Sequence, residues 1–408
     1  MKWCAWSGTI PAWQVWLAPS RHCLWPRRCA GCTRLDTLRI GISTTTIEPA
    51  LTGGRLDGIG VYSRALLRRL PGQGCAVQPY SFAPGGTPLK EGARLPAAFA
   101  LATLRDLMLP GAVRLKMPDV DLYHATDYRI VRMDCMVVAT LHDALTIKHP
   151  EWCSPRLRNV KNWLQAKAAR KANHVIAHTH FAIRELIECF GVDERHISVV
   201  PCGMDEEWLE APDPADVQAT LALHGLQPGY YLTVGTLQPR KNMGRVLEAY
   251  LALPPVLRAR RQLVIVGQPG WRSESLQAQI RAAQQNGENV IWLDNLTSHD
   301  QLRHVYAGAG VFVFPSLYEG FGIPVAEAFA SGVPVITSNT TSLPEVTLGA
   351  ALEVDPLSVA EIGAAMLELA RDDALRARYV AAGKARALDL TWADCARKTA
   401  AVYHQLLS

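Results

Sequence analysis

Short apolar runs alternate along the chain with longer stretches whose apolar positions recur at helical spacing. Leu38-Arg-Ile-Gly-Ile-Ser43 opens the pattern and reads as a buried parallel strand. A glycine-rich loop with Gly53, Gly54, Gly58 and Gly60 follows it. From about Val61 to Leu70 the sequence is amphipathic, with Leu66, Leu67 and Leu70 facing inward. Further strands are expected at Asp121–Ala125, Met136–Leu141, His174–Ala177 and Ile197–Val200. Helices are expected between them, notably over Ser154–Ala172 and Phe181–Phe190. Apolar strands joined by helices make a parallel sheet covered on both faces, because only a crossover returns the chain to start a parallel neighbour.

The pattern breaks near Glu206–Pro228, where Glu210-Ala-Pro-Asp-Pro214 mixes acids with proline. The inter-domain linker is expected there. Alternation resumes with strands at Tyr230–Val234, Gln262–Val266, Val290–Leu293, Val311–Phe314, Pro334–Thr337 and Ala351–Val354. Helices are expected around Arg245–Ala252, Ser275–Gln285, Ser298–Ala307 and Val325–Ala330. The chain thus reads as α/β, two tandem Rossmann-like domains facing a central cleft. Ligands of such sheets bind beyond the C-terminal strand ends. A length of 408 residues agrees with two domains. Hydrophobic residues at 49% and charged ones at 19% exclude disorder and coiled coil as whole-chain classes. No apolar run reaches the roughly 18–20 residues of a bilayer span, so an integral membrane protein is not expected.

Charge divides the chain. Residues 1–205 carry 26 Lys and Arg against 16 Asp and Glu, and the remainder carry 16 against 21. A basic first half fits an anionic partner or membrane surface, or ordinary scatter between two domains. It lacks the dense basic stripe of a nucleic-acid protein, and no nucleic-acid partner is expected. Four cysteines and five tryptophans fall within the first 32 residues, without helical or strand period. Cys29 and Cys32 form a C-x-x-C, but a second ligand pair for zinc is missing. Residues 1–37 are therefore read as a disordered or misassigned extension outside the functional core.

The densest chemistry lies in Pro315–Gly332. Gly320 and Gly322 allow a close, tight backbone after the strand that ends at Phe314. Pro324 suits the first turn of a helix, and Gly332 lies just past its end. Glu319 in the loop and Glu327 in the helix suit a polyol, since a carboxylate accepts from paired hydroxyls. In Val234-Gly-Thr-Leu-Gln-Pro-Arg-Lys-Asn-Met243, Arg240 and Lys241 are adjacent cations at a helix start, a setting that suits a diphosphate. In the first half, His142 and Asp143 directly follow a buried strand at the cleft. Gly58-Ile-Gly-Val-Tyr62 and His124-Ala-Thr-Asp-Tyr128 lie at two other strand ends.

Glu319-Gly-Phe-Gly322 with Glu327, Ser331-Gly-Val-Pro-Val335 and Leu343-Pro-Glu-Val346 resemble the retaining nucleotide-sugar glycosyltransferases of the GT-B fold, family 4. The resemblance covers most of residues 39–405. It implies a donor site in which Glu319, with Gly320, Phe321 and Gly322, contacts the sugar and Glu327 the ribose. It gives Arg240 and Lys241 the diphosphate, and places His142 and Asp143 near the reacting sugar. It sets the loop of Gly58 and Gly60 beside donor phosphates and acceptor. Tyr62, His124 and Asp127 are expected to face the acceptor. It further implies a first acceptor domain at 38–208, a donor domain at 209–388, and a C-terminal helix, 389–408, packing back on the first domain. Two stretches depart from the family: Cys202 stands where Asn is usual, and Ala177-His-Thr-His180 replaces Val-Ser-Glu. Asp119-Val-Asp121 mimics a metal-binding D-x-D but starts a strand, and a strand-capping role is expected. No metal and no cofactor are expected.

The reading is a cytoplasmic, retaining hexosyltransferase that uses a nucleoside diphosphate sugar. The motif combination resembles most the bacterial mannosyltransferases that use GDP-mannose for surface polysaccharide. The expected acceptor is a glycan or lipid-linked glycan. A nucleotide-sugar epimerase and a non-catalytic nucleotide-sugar binding protein are the alternatives. Arg156, Arg158, Lys161, Lys167, Arg170 and Lys171, with Trp152 and Trp163, suggest either a face resting on anionic lipid at the inner membrane or a solvated helix.

Overall fold

The computed structural model describes residues 37–408 apart from Arg55, Pro110, Ala112, Val113, Arg156 and Thr297. The expectation for residues 1–37, with its cysteines and tryptophans, lies almost wholly outside these, and so does Arg156 of the basic helix.

Two parallel sheets carry the fold. The first holds β1 (Leu38–Ser43), β2 (Cys75–Ser81), β3 (Ala93–Arg94), β4 (Leu122–Ala125), β5 (Met136–Thr140), β6 (His174–Ala177) and β7 (Ile197–Val199). Its strand order is β3-β2-β1-β4-β5-β6-β7. The second holds β8 (Tyr230–Val234), β9 (Leu263–Val266), β10 (Val290–Leu293), β11 (Ala309–Phe314), β12 (Val335–Ser338) and β13 (Leu352–Val354). It is ordered β10-β9-β8-β11-β12-β13. In both sheets the chain leaves the first strand in one direction and later returns to its other side. The order therefore reverses beside β1 and beside β8, where doubly wound sheets open a crevice for ligands. β4, β6, β9 and β12 are buried along their whole length, as strands of a parallel sheet covered on both faces are.

The differences from the sequence reading have local causes. β2 and β3 were not expected. β2 contains Pro79 and is fully buried only at its two ends, so no apolar run marks it. Gly58 and Gly60 belong to the first turn of the helix Gly58–Arg69 rather than to a loop. Asp57 starts this helix by accepting from Gly60 N–H at 2.8 Å. Half of the expected linker is a helix, Pro214–Leu223, begun by Asp213 accepting from Ala215 N–H at 2.7 Å. Its proline is a helix start, not a break. The basic helix spans Arg158–Ala169, and Lys171 lies off its exposed face, buried and paired with Asp106 at 3.3 Å. Asp121 and Asp119 both bind the Arg39 guanidinium, at 2.8 and 3.1 Å, holding the start of β4 to β1.

The last helix, Trp392–Leu407, packs on Gly58–Arg69, with the Trp392 and Tyr62 rings 6.1 Å apart. Main-chain bonds tie the junction: Met204 N–H to Leu390 O at 2.9 Å, and Trp392 N–H to Met204 O at 3.0 Å. A Cβ on Gly203 would lie 2.2 Å from Thr391 backbone, so only glycine fits that crossing.

Candidate active site

The loops after β8 and β11 meet at the reversal point of the second sheet. Leu317 N–H donates to Arg240 O at 2.8 Å, and the Asn242 amide donates to Pro315 O at 2.8 Å. Asn242 has φ 60°, a left-handed conformation that ends the short turn Pro239–Lys241 and aims its cations at the neighbouring loop. Arg240 Nη1 reaches Glu319 Oε2 at 2.9 Å, and Lys241 Nζ reaches Glu319 Oε1 at 2.6 Å. Arg240 Nη1 also donates to Tyr318 O at 3.1 Å. All three side chains are largely covered. Burial alone would raise the Glu319 carboxyl, but Lys241 and Arg240 outweigh it and hold it down at about 2. Burial pulls the Lys241 ammonium below its ordinary value while Glu319 holds against it. One carboxylate thus faces two cations, which leaves a net positive charge. Among the described residues the buried Arg240 Nε finds no hydrogen-bond partner.

Glu327 is in the helix Ile323–Ala330, and its carboxylate accepts from Tyr306 O–H at 3.2 Å. Burial pushes this carboxyl up to about 7. Gly322 has φ 101°, and a Cβ on Gly320 would lie 2.5 Å from His142 O. Glycine at both positions lets the donor-side loop turn and press on the strand end of the first sheet. Phe321 is buried beside them, its ring 6.4 Å from that of His178.

On the first-sheet side, His142 follows β5 and donates from Nε2 to Thr126 O at 2.9 Å. Its Nδ1 lies 2.9 Å from His178 Nε2. Asp143 accepts from Leu145 N–H at 3.0 Å, and its main chain exchanges hydrogen bonds with Tyr128 Oη. Bonds also cross the cleft. Ala144 N–H donates to Tyr318 Oη at 3.2 Å, and Tyr318 O–H binds the Glu185 carboxylate. Glu345 accepts from His180 N–H at 2.8 Å and Phe181 N–H at 3.2 Å, at the start of the helix His180–Phe190.

The structure brings Glu319, Gly320, Phe321, Gly322, Arg240, Lys241, His142 and Asp143 to one cleft. It places three expected acceptor residues elsewhere. Tyr62 and His124 are fully buried and both bind Thr140 Oγ1 at 2.8 Å. His124 Nδ1 also meets Tyr403 Oη at 2.6 Å. Asp127 is covered and held by Arg129, whose main-chain N–H reaches it at 2.8 Å. These residues brace the first sheet and its last helix rather than face an acceptor. Gly58 offers its first-turn position to open space, while a Cβ on Gly60 would lie 2.8 Å from Thr46 O. Sequence reasoning missed Tyr318, Glu185 and Tyr306, whose partners are remote in the chain. His178 was visible only as a departure from the family pattern.

Residues 56–208 match glycosyltransferase family 4, and residues 223–386 match the glycosyl transferases group 1 family. O-antigen chain mannosyltransferase B of Escherichia coli is 32% identical over 289 residues, 70% of this chain and 74% of that one. The chain belongs to the family 4 glycosyltransferases. Sucrose-phosphate synthase from Thermosynechococcus elongatus shares the fold with a TM-score of 0.70 at 20% identity, over 90% of this chain and 99% of that one. HepE from Anabaena, solved with UDP and glucose, gives 0.66 at 17% identity, over 90% and 100%. This family 4 glycosyltransferase therefore has the GT-B architecture of two Rossmann-like domains. None of its described helices is long and apolar enough to cross a membrane.

Proposed function

We propose that this glycosyltransferase moves mannose, with retention, from GDP-mannose to a glycan or lipid-linked glycan acceptor in cell-surface polysaccharide synthesis, on the cytoplasmic side. The observation that carries the donor reading is the convergence of Arg240 and Lys241 on the Glu319 loop at the second-sheet strand ends. These preorganised cations neutralise charge as it develops on the leaving diphosphate, so the reading includes no metal or cofactor. Glu319 holds the sugar, Glu327 accepts from the ribose hydroxyls, and His142 and Asp143 line the reacting side. Mannose rests on the named activity of the Escherichia coli relative. Retention rests on the family; Glu319, committed to two cations, is a poor nucleophile for a covalent intermediate. Front-face displacement fits better than a covalent intermediate: the acceptor oxygen bonds to the anomeric carbon on the face from which the diphosphate departs, and its proton passes to the diphosphate oxygen.

The test offers GDP-mannose and UDP-glucose with glycan acceptors and reads the new anomeric bond by proton NMR. Mannose transfer that keeps the donor's anomeric configuration is expected. Inversion overturns the retaining reading, and turnover of UDP-glucose alone overturns the donor. Replacing His142 should abolish transfer and spare donor binding, whereas donor conversion without acceptor would mark an epimerase.

The proposal extends to peripheral membrane contact. Leu157, which caps the helix Arg158–Ala169, and Val160 and Trp163 on it are 65%, 55% and 50% exposed beside Lys161 and Lys167. Such a face suits an anionic interface. Flotation with anionic but not neutral liposomes is expected, and no lipid-dependent binding removes the claim.

A further inference from the structure

His142 and His178 form a pair whose protons do not add up. The His142 Nε2 contact to Thr126 O at 2.9 Å requires a proton on Nε2, because a carbonyl only accepts. The His178 Nδ1 contact to Val200 O at 3.0 Å requires a proton on Nδ1 for the same reason. The facing nitrogens, His142 Nδ1 and His178 Nε2, are 2.9 Å apart and require another between them. Three contacts thus require three protons, and two neutral imidazoles carry two. A neutral pair always leaves one contact unsatisfied, and a single added proton completes all three.

The surroundings decide when that proton arrives. The Tyr62 ring lies edge-on 5.2 Å from His142 and 5.0 Å from His178, and Tyr128 flanks His142 at 6.3 Å. His124 lies beyond Tyr62, and its own burial keeps it neutral. Burial draws both members of the pair toward neutrality. Asp143, Asp127 and Asp57 pull His142 the other way. The His142 carbonyl touches the Gly320 loop, so negative charge entering the donor site approaches the pair.

We propose that His178 is a positioning residue for His142, and that the two rings take up one shared proton from solvent as the anionic donor enters and return it when the nucleoside diphosphate leaves. The shared proton fixes the His142 ring against Thr126 and adds a positive charge beside the reacting sugar. This rests on the donor site proposed above. It goes beyond it by making two side chains from separate strand ends a single titrating unit.

Two measurements test it on the full chain. The first uses no donor: imidazole ¹⁵N NMR across acidic to neutral pH. His142 and His178 should gain one proton together, at a single midpoint. Independent titration, or His142 lacking a proton on Nε2, overturns the proposal. The second is calorimetry with GDP-mannose, whose diphosphate does not titrate near neutrality, in buffers of different ionisation heat. Glu327 exchanges its own proton in both wild type and His178→Gln, so the difference counts the pair alone. About one proton per donor is expected, and no difference overturns the proposal. His178→Gln keeps a donor for His142 Nδ1 but cannot share a proton. It should raise the donor KM where the free pair is neutral, because the linked proton no longer supports binding, lower kcat about 10–10²-fold, and lose the high-pH fall of kcat that follows deprotonation of the pair. An unaltered pH profile overturns the shared-proton role. If GDP-mannose gives no binding heat, the donor assignment fails and the NMR result still decides the pair.

Discussion

On the second-sheet side of the cleft, three ionised groups lie together under cover: Glu319 with Arg240 and Lys241. On the first-sheet side, the covered groups beside the last helix are neutral and linked in a chain, Tyr62 and His124 to Thr140 and His124 to Tyr403. The ionic cluster joins two adjacent loops and keeps a surplus positive charge. The neutral chain joins β4, β5, the helix Gly58–Arg69 and the last helix, and carries no surplus. Buried charge that is not self-compensated awaits a partner, whereas buried neutral polarity that is fully paired holds elements in place. The contrast separates residues that meet an anionic donor from residues that resemble them only by lying at a strand end.

The largest effect should come from removing the carboxylate at the centre of the ionic cluster. Glu319→Ala leaves two buried cations without their counter-charge. Breaking a buried pair this way typically costs about 3–5 kcal/mol. Denaturant unfolding should show that loss, and a nucleoside diphosphate should restore part of it by binding the freed cations. An unchanged midpoint would mean that the cluster is solvated and the contrast fails. Arg240→Ala should act on turnover instead. Lys241 still pairs with Glu319 at 2.6 Å, so the fold survives. Losing one preorganised charge donor should lower kcat about 10²–10³-fold. Normal turnover by the folded variant removes Arg240 from the donor site.

Tyr403→Phe tests the neutral side. It leaves His124 Nδ1 buried without its 2.6 Å partner. An unsatisfied buried group costs about 1–3 kcal/mol. A lowered Tm with unchanged kcat per folded molecule is expected. A fall in kcat at unchanged Tm would return His124 to the catalytic side.

These two sides were unequally legible in the sequence. β4, β6, β8 and β10 were recognisable because their runs are local and mostly apolar. The donor loops were recognisable for the same reason: Arg240, Lys241 and Glu319 lie within short motifs directly after strands. Tyr62 and His124 also lie after or near strand ends, so spacing gave them the same standing as His142. What separates them is a hydrogen bond to Tyr403, 279 residues beyond His124. No local pattern carries such a partner. β2 was lost because Pro79 and exposed positions dilute its run. The helix start at Gly58 was obscured by its glycines, although Asp57 three residues before Gly60 is a capping signature.

The smallest expected effect sharpens the contrast within the donor side, because Glu327 is covered without a cation of its own. Burial, with Asp205 adding to it, raises its carboxyl from the ordinary 4.5 to about 7, and the Tyr306 hydroxyl only partly offsets this. The folded protein therefore binds this proton more tightly than the unfolded chain does. The stability it contributes is fully present below about 4.5 and is lost as pH rises through about 7. Tm of wild type should fall across that window relative to Glu327→Gln, which stays neutral throughout. Donor affinity should move the opposite way, since ribose hydroxyls donate to the ionised carboxylate. In the His178→Gln background, where the histidine pair takes up no shared proton, GDP-mannose should bind more tightly as pH rises toward neutrality, by at most about tenfold per pH unit for one linked proton. Adding Glu327→Gln to that background should weaken binding and leave little pH dependence. Calorimetric titrations at pH values on both sides of 7 read both trends. An affinity that is flat in the His178→Gln background would show that Glu327 meets no donor hydroxyl and belongs with the neutral, bracing residues of the other sheet.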